Sequence, residues 1–171
     1  MAKTLFDAAD NMTDRQGALS VLASLEVPER VSALDAFYDR YKADPLVLDK
    51  WFGLQASAQR AETAQAVEAL AAHPDFTLAN PNRLRALAGS FAMNQWAFHD
   101  ASGRGYRFLS DMIIAADRLN PQTAAKLVPP LGRWRRFRPN RAALMRAELE
   151  RVVASPNLSK DVFEQASKSL A

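Results

Sequence analysis

Three Asx-Pro dipeptides, Asp44-Pro45, Asn80-Pro81 and Asn120-Pro121, constrain this chain more than any other feature. Asp or Asn at an N-cap accepts an orphan backbone N–H on its side-chain oxygen. Pro at the first helical position presets φ and lacks a donor that would go unused. Each dipeptide therefore predicts a helix start. The starts lie 36 and 40 residues apart, with room for about two helices between them, which is the period of α-solenoids. The repeat is one of architecture only, because "PLVLDKWFGLQ", "PNRLRALAGSF" and "PQTAAKLVPPL" share no residue pattern.

Apolar periodicity predicts about nine helices, near 14–25, 28–42, 45–58, 62–72, 81–92, 103–119, 121–136, 140–154 and 159–170. Thr13 with Gln16 three residues on reads as a capping box for the first. Val31, Leu34, Phe37 and Tyr41 form one stripe of the second, and Tyr106, Leu109, Met112, Ile113 and Ala116 repeat at core spacing in the sixth. "HPDFTLAN" reads as a connection, and Pro129-Pro130 should bend or divide the segment 121–136, since two donors are missing there. No run alternates as a strand. Nearly half the chain is hydrophobic, Ala and Leu prevail, and Gly occurs only six times, a mix that favours helix. The predicted fold is all-α: one helical-repeat domain over 1–171, a solenoid or superhelix of paired antiparallel helices.

Catalytic chemistry is not visible. The chain has no Cys, which excludes disulfides, thiol catalysis and zinc fingers. The two histidines, His73 in "AAHPD" and His99 in "WAFHDASG", form no H-x-x-x-H pair and make a poor zinc set. Both read as residues near helix ends, where a cation is favourable. There is no G-x-S-x-G and no phosphate loop. Carboxylate pairs such as Glu148/Glu150 and Asp7/Asp10 read as solvated faces. No catalytic residue, metal site or cofactor site is predicted. The N-terminus has no apolar run like a signal peptide's, and no segment has the length to span a bilayer.

Lys plus Arg exceed Asp plus Glu by 22 to 19, a small excess for a dedicated nucleic-acid binder. "GRWRRFRPNR" at 132–141 gathers five arginines. Trp134 nevertheless continues the apolar stripe Leu127–Leu131–Trp134, Arg133 and Arg136 fall on the opposite side, and Arg138-Pro139 ends the segment. These arginines read as a solvated rim. Arg83, Arg85 and Lys126 lie early in helices, where a cation opposes the macrodipole by about 0.3–1 kcal/mol. A neighbouring carboxylate, an anionic ligand or ordinary solvation would offset this. Gln122 and Lys126, four residues apart, share one face.

Five blocks in order, "LVLDKWFGLQA", "FTLANPNRLRALAGSFAMN" (76–94), "FHDASGRGYRFLSDMI" (98–113), "LNPQTAAKLVPPL" (119–131) and "RAALMRAELERV", together with the opening "NMTDRQGAL", resemble one family. It is the C-terminal helical domain of bacterial aminopeptidase N, of the M1 (gluzincin) zinc metallopeptidases. The resemblance runs from Phe6 to Ala171. It implies that the zinc motif H-E-x-x-H, the G-A-M-E-N motif and the catalytic Tyr belong to upstream domains, so zinc is the parent's and this fragment alone is inactive. Met1 would then be a boundary or an internal Met of a longer protein.

The resemblance further implies a superhelix packed over the catalytic domain, enclosing its cavity so that peptides enter and folded proteins do not. In "N-P-N-R-x-R" Arg85 would face that cavity. Gln122 of "N-P-Q" resembles the residue reaching the pocket for the substrate's first side chain. Lys126 stands where relatives often have Arg, keeping the charge but losing bidentate geometry. Asn94-Gln95-Trp96 departs from an Asn-Pro with one extra residue. The implied partners are the upstream domains and peptide substrates, with no nucleic acid and no membrane, in a bacterial cytoplasm. An excised domain would expose apolar surface and self-associate weakly. Two other readings stay open: a free-standing α-solenoid adaptor, and a basic nucleic-acid-binding domain.

Overall fold

The computed structural model describes residues 1–171 and contains helices and no strand. In chain order the helices are α1 (Ala2–Ala8), α2 (Met12–Ala23), α3 (Glu29–Tyr41), α4 (Pro45–Ala56), α5 (Thr63–Ala71), α6 (Pro81–Leu84), a π turn (Arg85–Gly89), α7 (Ser90–Met93), α8 (Arg104–Asp117), α9 (Pro121–Ala125), α10 (Pro129–Gly132), a 3-10 turn (Trp134–Arg136), α11 (Pro139–Val153) and α12 (Lys160–Leu170). All nine predicted helices are present. The segment 121–136 is divided ahead of Pro129-Pro130, as its missing donors require. The helix begun at Pro81 runs unbroken to Met93 but carries the π turn in its middle. An additional helix, α1, precedes them, too short for periodicity to detect.

The three Asx-Pro starts are true caps. Asp44 Oδ1 accepts from Leu46 and Val47 N–H at 3.0 and 3.3 Å, Asn80 Oδ1 from Asn82 and Arg83 at 2.9 and 3.3 Å, and Asn120 Oδ1 from Thr123 at 3.0 Å. Two sequence expectations fail nearby. The cap of α2 is Asn11, which accepts from Asp14 N–H at 2.9 Å, so Thr13 lies inside the helix. On α3 the buried positions are Ala33, Leu34 and Phe37, whereas Val31 is exposed. In α8, Tyr106, Leu109, Ile113 and Ala116 are fully buried and Met112 partly.

One continuous core of 36 buried residues runs from Phe6 to Ala166. Each helix packs on near neighbours in the chain: α1 on α2, α2 on α3 and α4, α4 on α5 and the π turn, α8 on α9 and α11, and α12 on α9 to α11. Polar links across successive layers repeat at the dipeptide spacing. Glu26–Arg60, Asp49–Arg83, Glu68–Arg104, Ser110–Glu148, Asp111–Arg151 and Asp117–Ser159 span 34 to 42 residues. Such separations follow when each layer bonds to the next along a solenoid. Glu148 is one of these links, mostly buried between Ser110 and Arg151 rather than solvated. No helix is long and apolar enough to cross a membrane.

Candidate functional site

Of the early-helix cations, Arg83 is structural. Its side chain is 6% exposed, its Nε donates to Asp49 Oδ1 at 2.5 Å, it also bonds the Asp75 carbonyl, and its guanidinium lies 5.0 Å from the Phe52 ring centroid. A carboxylate supplies the compensation that its position requires. Lys126 needs none, because α9 ends at Ala125 and Lys126 is its C-cap, where a cation is favourable. Arg85 remains exposed. Its guanidinium bends back to donate to the Pro81 carbonyl (3.2 Å) and to Asn82 Oδ1, so acceptors of its own helix meet part of its hydrogen-bonding need.

The three predicted site residues divide between two grooves. Gln122 and Lys126 line one of about 420 Å³, opposite Asp161, Glu164 and Lys168 of α12. Arg85 lines another of about 500 Å³, walled by the π turn, Ser57 and the loop Asn94–Trp96. The structure brings Gln122 and Lys126 together and leaves Arg85 in a separate groove.

Around the second groove lies a face that sequence reasoning missed. Asn94, buried, donates from Nδ2 to the Ala56 and Ala58 carbonyls (3.1 and 2.8 Å) and accepts on Oδ1 from Trp96 and Ala97 N–H (3.2 and 3.1 Å). This ties the start of the 94–103 loop to the end of α4 and the residues after it, and leaves the Trp96 side chain 66% exposed. His99 sits in that loop, not at a helix end as expected. Its ring stacks on Phe137 at 4.2 Å, and its Nδ1 shares a 3.0 Å hydrogen bond with the Tyr106 hydroxyl. Burial, and after it the Arg141 charge, lowers the His99 pKa, and burial raises that of Tyr106. Both groups are therefore neutral near pH 7. Arg141 Nε donates to the His99 carbonyl at 2.7 Å.

His73 lies at a helix end as expected, just past the C-cap Ala72 of α5, with its backbone N–H on the Leu70 carbonyl at 3.1 Å. It is caged edge-on by Tyr38 and Phe52 and tilted against Trp51, and its Nδ1 accepts from Asp75 N–H at 3.1 Å. No three His, Cys, Asp or Glu side chains converge as a metal-ligand group. The decapeptide 132–141 is only partly a rim. Trp134 is half-buried, its Nε1 donates to the Ser169 carbonyl at 3.0 Å, and Arg135 covers its ring at 4.1 Å. A sequence signal for Trp96 existed, since it belongs to no helical stripe.

The comparisons agree with the architecture. A family model described as a domain of unknown function (DUF3458_C) with ARM repeats matches residues 1–171. Aminopeptidase N of Caulobacter vibrioides is 52% identical over 166 residues, which are 96% of this chain and 19% of that protein. The Haemophilus influenzae aminopeptidase N is 46% identical with the same coverage, and the Escherichia coli one 41% identical over 97% of this chain and 19% of its own. The crystal structure of Legionella pneumophila aminopeptidase A in complex with aspartic acid superposes with a TM-score of 0.94 at 36% identity, over 99% of this chain and 20% of that one. The chain thus spans about a fifth of the length of the relatives it matches, corresponding to their C-terminal part.

Proposed function

Since this chain belongs to the DUF3458_C ARM-repeat family, we propose that it works as the C-terminal helical domain of a cytoplasmic aminopeptidase N, a zinc peptidase of the M1 class. In this reading it walls the active-site cavity of the larger enzyme, admits peptides while excluding folded proteins, and contributes Arg85, Gln122 and Lys126 to the substrate cavity. The observation that carries the proposal is identity of 41 to 52% to three aminopeptidases N across almost the whole chain. Zinc has no donor set here: the two histidines direct Nδ1 to Asp75 and Tyr106, and no carboxylate cluster joins either. The residues of this chain do not fit a zinc site, and the metal is assigned to the rest of the polypeptide.

The chemistry left to this domain is electrostatic and steric. Exposed cations beside a cavity raise the local concentration of anionic peptide C-termini, and Gln122 offers both a donor and an acceptor to a substrate group. The test uses the full-length enzyme with Arg85→Ala, Gln122→Ala and Lys126→Ala. KM for short peptides with a free carboxylate should rise roughly three- to ten-fold at near-constant kcat for the two cation variants, the size of one lost charge-assisted contact. KM for an aminoacyl amide, which lacks the carboxylate, should move only for Gln122→Ala. Unchanged kinetics in all three would remove these residues from the cavity. Chelator-sensitive turnover by residues 1–171 alone would refute the division of labour.

A further inference from the structure

Arg133, Arg136 and Arg138 are exposed neighbours, and none of them donates to any protein acceptor, whereas Arg60, Arg83, Arg104, Arg146 and Arg151 each find a carboxylate. Arg136 and Arg138 line a depression of about 620 Å³ with Trp96 and Arg141. It adjoins the Arg85 groove and a smaller hollow of about 180 Å³ that includes Arg133, and Gln95 borders all three. Across this face the single carboxylate is Asp100, whose oxygen already accepts the Ser102 N–H at 2.9 Å. Trp96 and Met93 stand 66% and 62% exposed at its edge. The floor is built from the His99–Phe137 stack and the four hydrogen bonds of Asn94.

Exposed Trp and Met flanked by Arg on a fixed support is the composition of an interface centre rather than of a solvated rim, where Lys and Glu prevail. The adjoining depressions have room for a run of residues, not a lone anion. A nucleic-acid groove would use a succession of aromatic platforms and a larger charge excess. Here one indole is exposed and the chain's formal charge is +3.

We propose that this face docks an acidic segment from the rest of the polypeptide, with Trp96 as the apolar anchor and Arg133, Arg136 and Arg138 pairing the carboxylates. The inference rests on reading the chain as one domain of a larger enzyme. The face adjoins the groove of Arg85, with which it shares Trp96 and Gln95, and lies apart from the groove of Gln122 and Lys126.

Hydroxyl-radical footprinting of the full-length protein, read by mass spectrometry, tests it. Docking should take Trp96 from two-thirds exposed to about a tenth, so the double variant Arg136→Glu/Arg138→Glu should oxidise Trp96 roughly six-fold faster than wild type. The buried Trp51 is the internal reference for intact folding. If it also accelerates, the milder pair Arg136→Gln/Arg138→Gln replaces the first, and Arg118→Glu at the C-cap of α8 serves as the charge control. Trp96 oxidised equally fast in wild type and variant overturns the proposal. So does protection that disappears on nuclease treatment, or that competing peptide substrate supplies. Turnover of aminoacyl amides is measured on the same samples: an inactive wild type with Trp96 still protected sinks the aminopeptidase reading and leaves the docking face standing.

Discussion

Gly105 sits in the first turn of α8, where an ideal Cβ would lie 2.4 Å from the Phe98 carbonyl oxygen, 3.0 Å from its Cα and 3.1 Å from its carbonyl carbon. Carbon approaches a carbonyl oxygen comfortably only to about 3.3 Å, so Gly105→Ala creates an overlap of about 0.9 Å. The obstructing atoms are backbone and have no rotamer to escape into. Their loop is fixed by Asn94, and the Phe98 ring is wedged edge-on against Phe91 and Tyr106. Overpacking costs about 1–3 kcal/mol, here at its upper end, while Ala gains at most about 1 kcal/mol in helix propensity. The expected net loss is about 2 kcal/mol. Gly17, exposed in the middle of α2 with no atom within 4 Å of its ideal Cβ, receives the same methyl with the opposite sign and gains about 1 kcal/mol. Urea unfolding with an m of about 2 kcal/mol/M should then separate the two midpoints by roughly 1.5 M. A Gly105→Ala midpoint at or above wild type would refute the close-approach reasoning, and with it the fixed placement of the loop that carries Trp96 and His99.

Two further outcomes follow from buried groups. Asp49→Asn leaves the Arg83 guanidinium buried without its counter-charge, which costs about 3 kcal/mol. In a chain of this size that lowers Tm by roughly 6–12 °C, and a calorimetric drop below about 2 °C would show that the pair is not structural. His99 has a folded pKa depressed by burial first and by Arg141 second, so the unfolded chain binds its proton at higher pH than the folded one. Stability is full above the ordinary histidine value of about 6.5 and falls as pH drops from there toward the folded pKa. Unfolding free energies between about pH 7 and 5 should show this slope in wild type and lose it in His99→Gln; an equal slope in both would assign it elsewhere.

Helix starts were legible because their cause is local: an Asx oxygen and a Pro nitrogen act within one turn, and all three dipeptides cap as expected. What the sequence withheld was set by contacts between layers. Whether Arg83 was free or paired depended on Asp49, 34 residues earlier, and no spacing rule connects the two. Lys126 looked like a cation near a helix start until the break ahead of Pro129-Pro130 made it a helix end. Val31 fitted a stripe whose neighbouring rows decided which side met α4. The arginine-rich face was hidden for the same reason, because its arginines come from the end of one layer and Trp96 from the preceding loop. Gln122 and Lys126 were paired by helical spacing, and the structure keeps them in one groove.

The links that tie residue to residue at separations of 34 to 42 have a mechanical meaning. No strong tie joins the first helices to the last, so the chain has no single clasp that must open before the rest gives way. A load applied between its ends would peel it from a terminus, layer after layer, each step resisted by one set of neighbours such as Asp117–Ser159 and then Asp111–Arg151. A stack whose contacts are all between near neighbours spreads a bend along its length, each layer giving a little, like a spring.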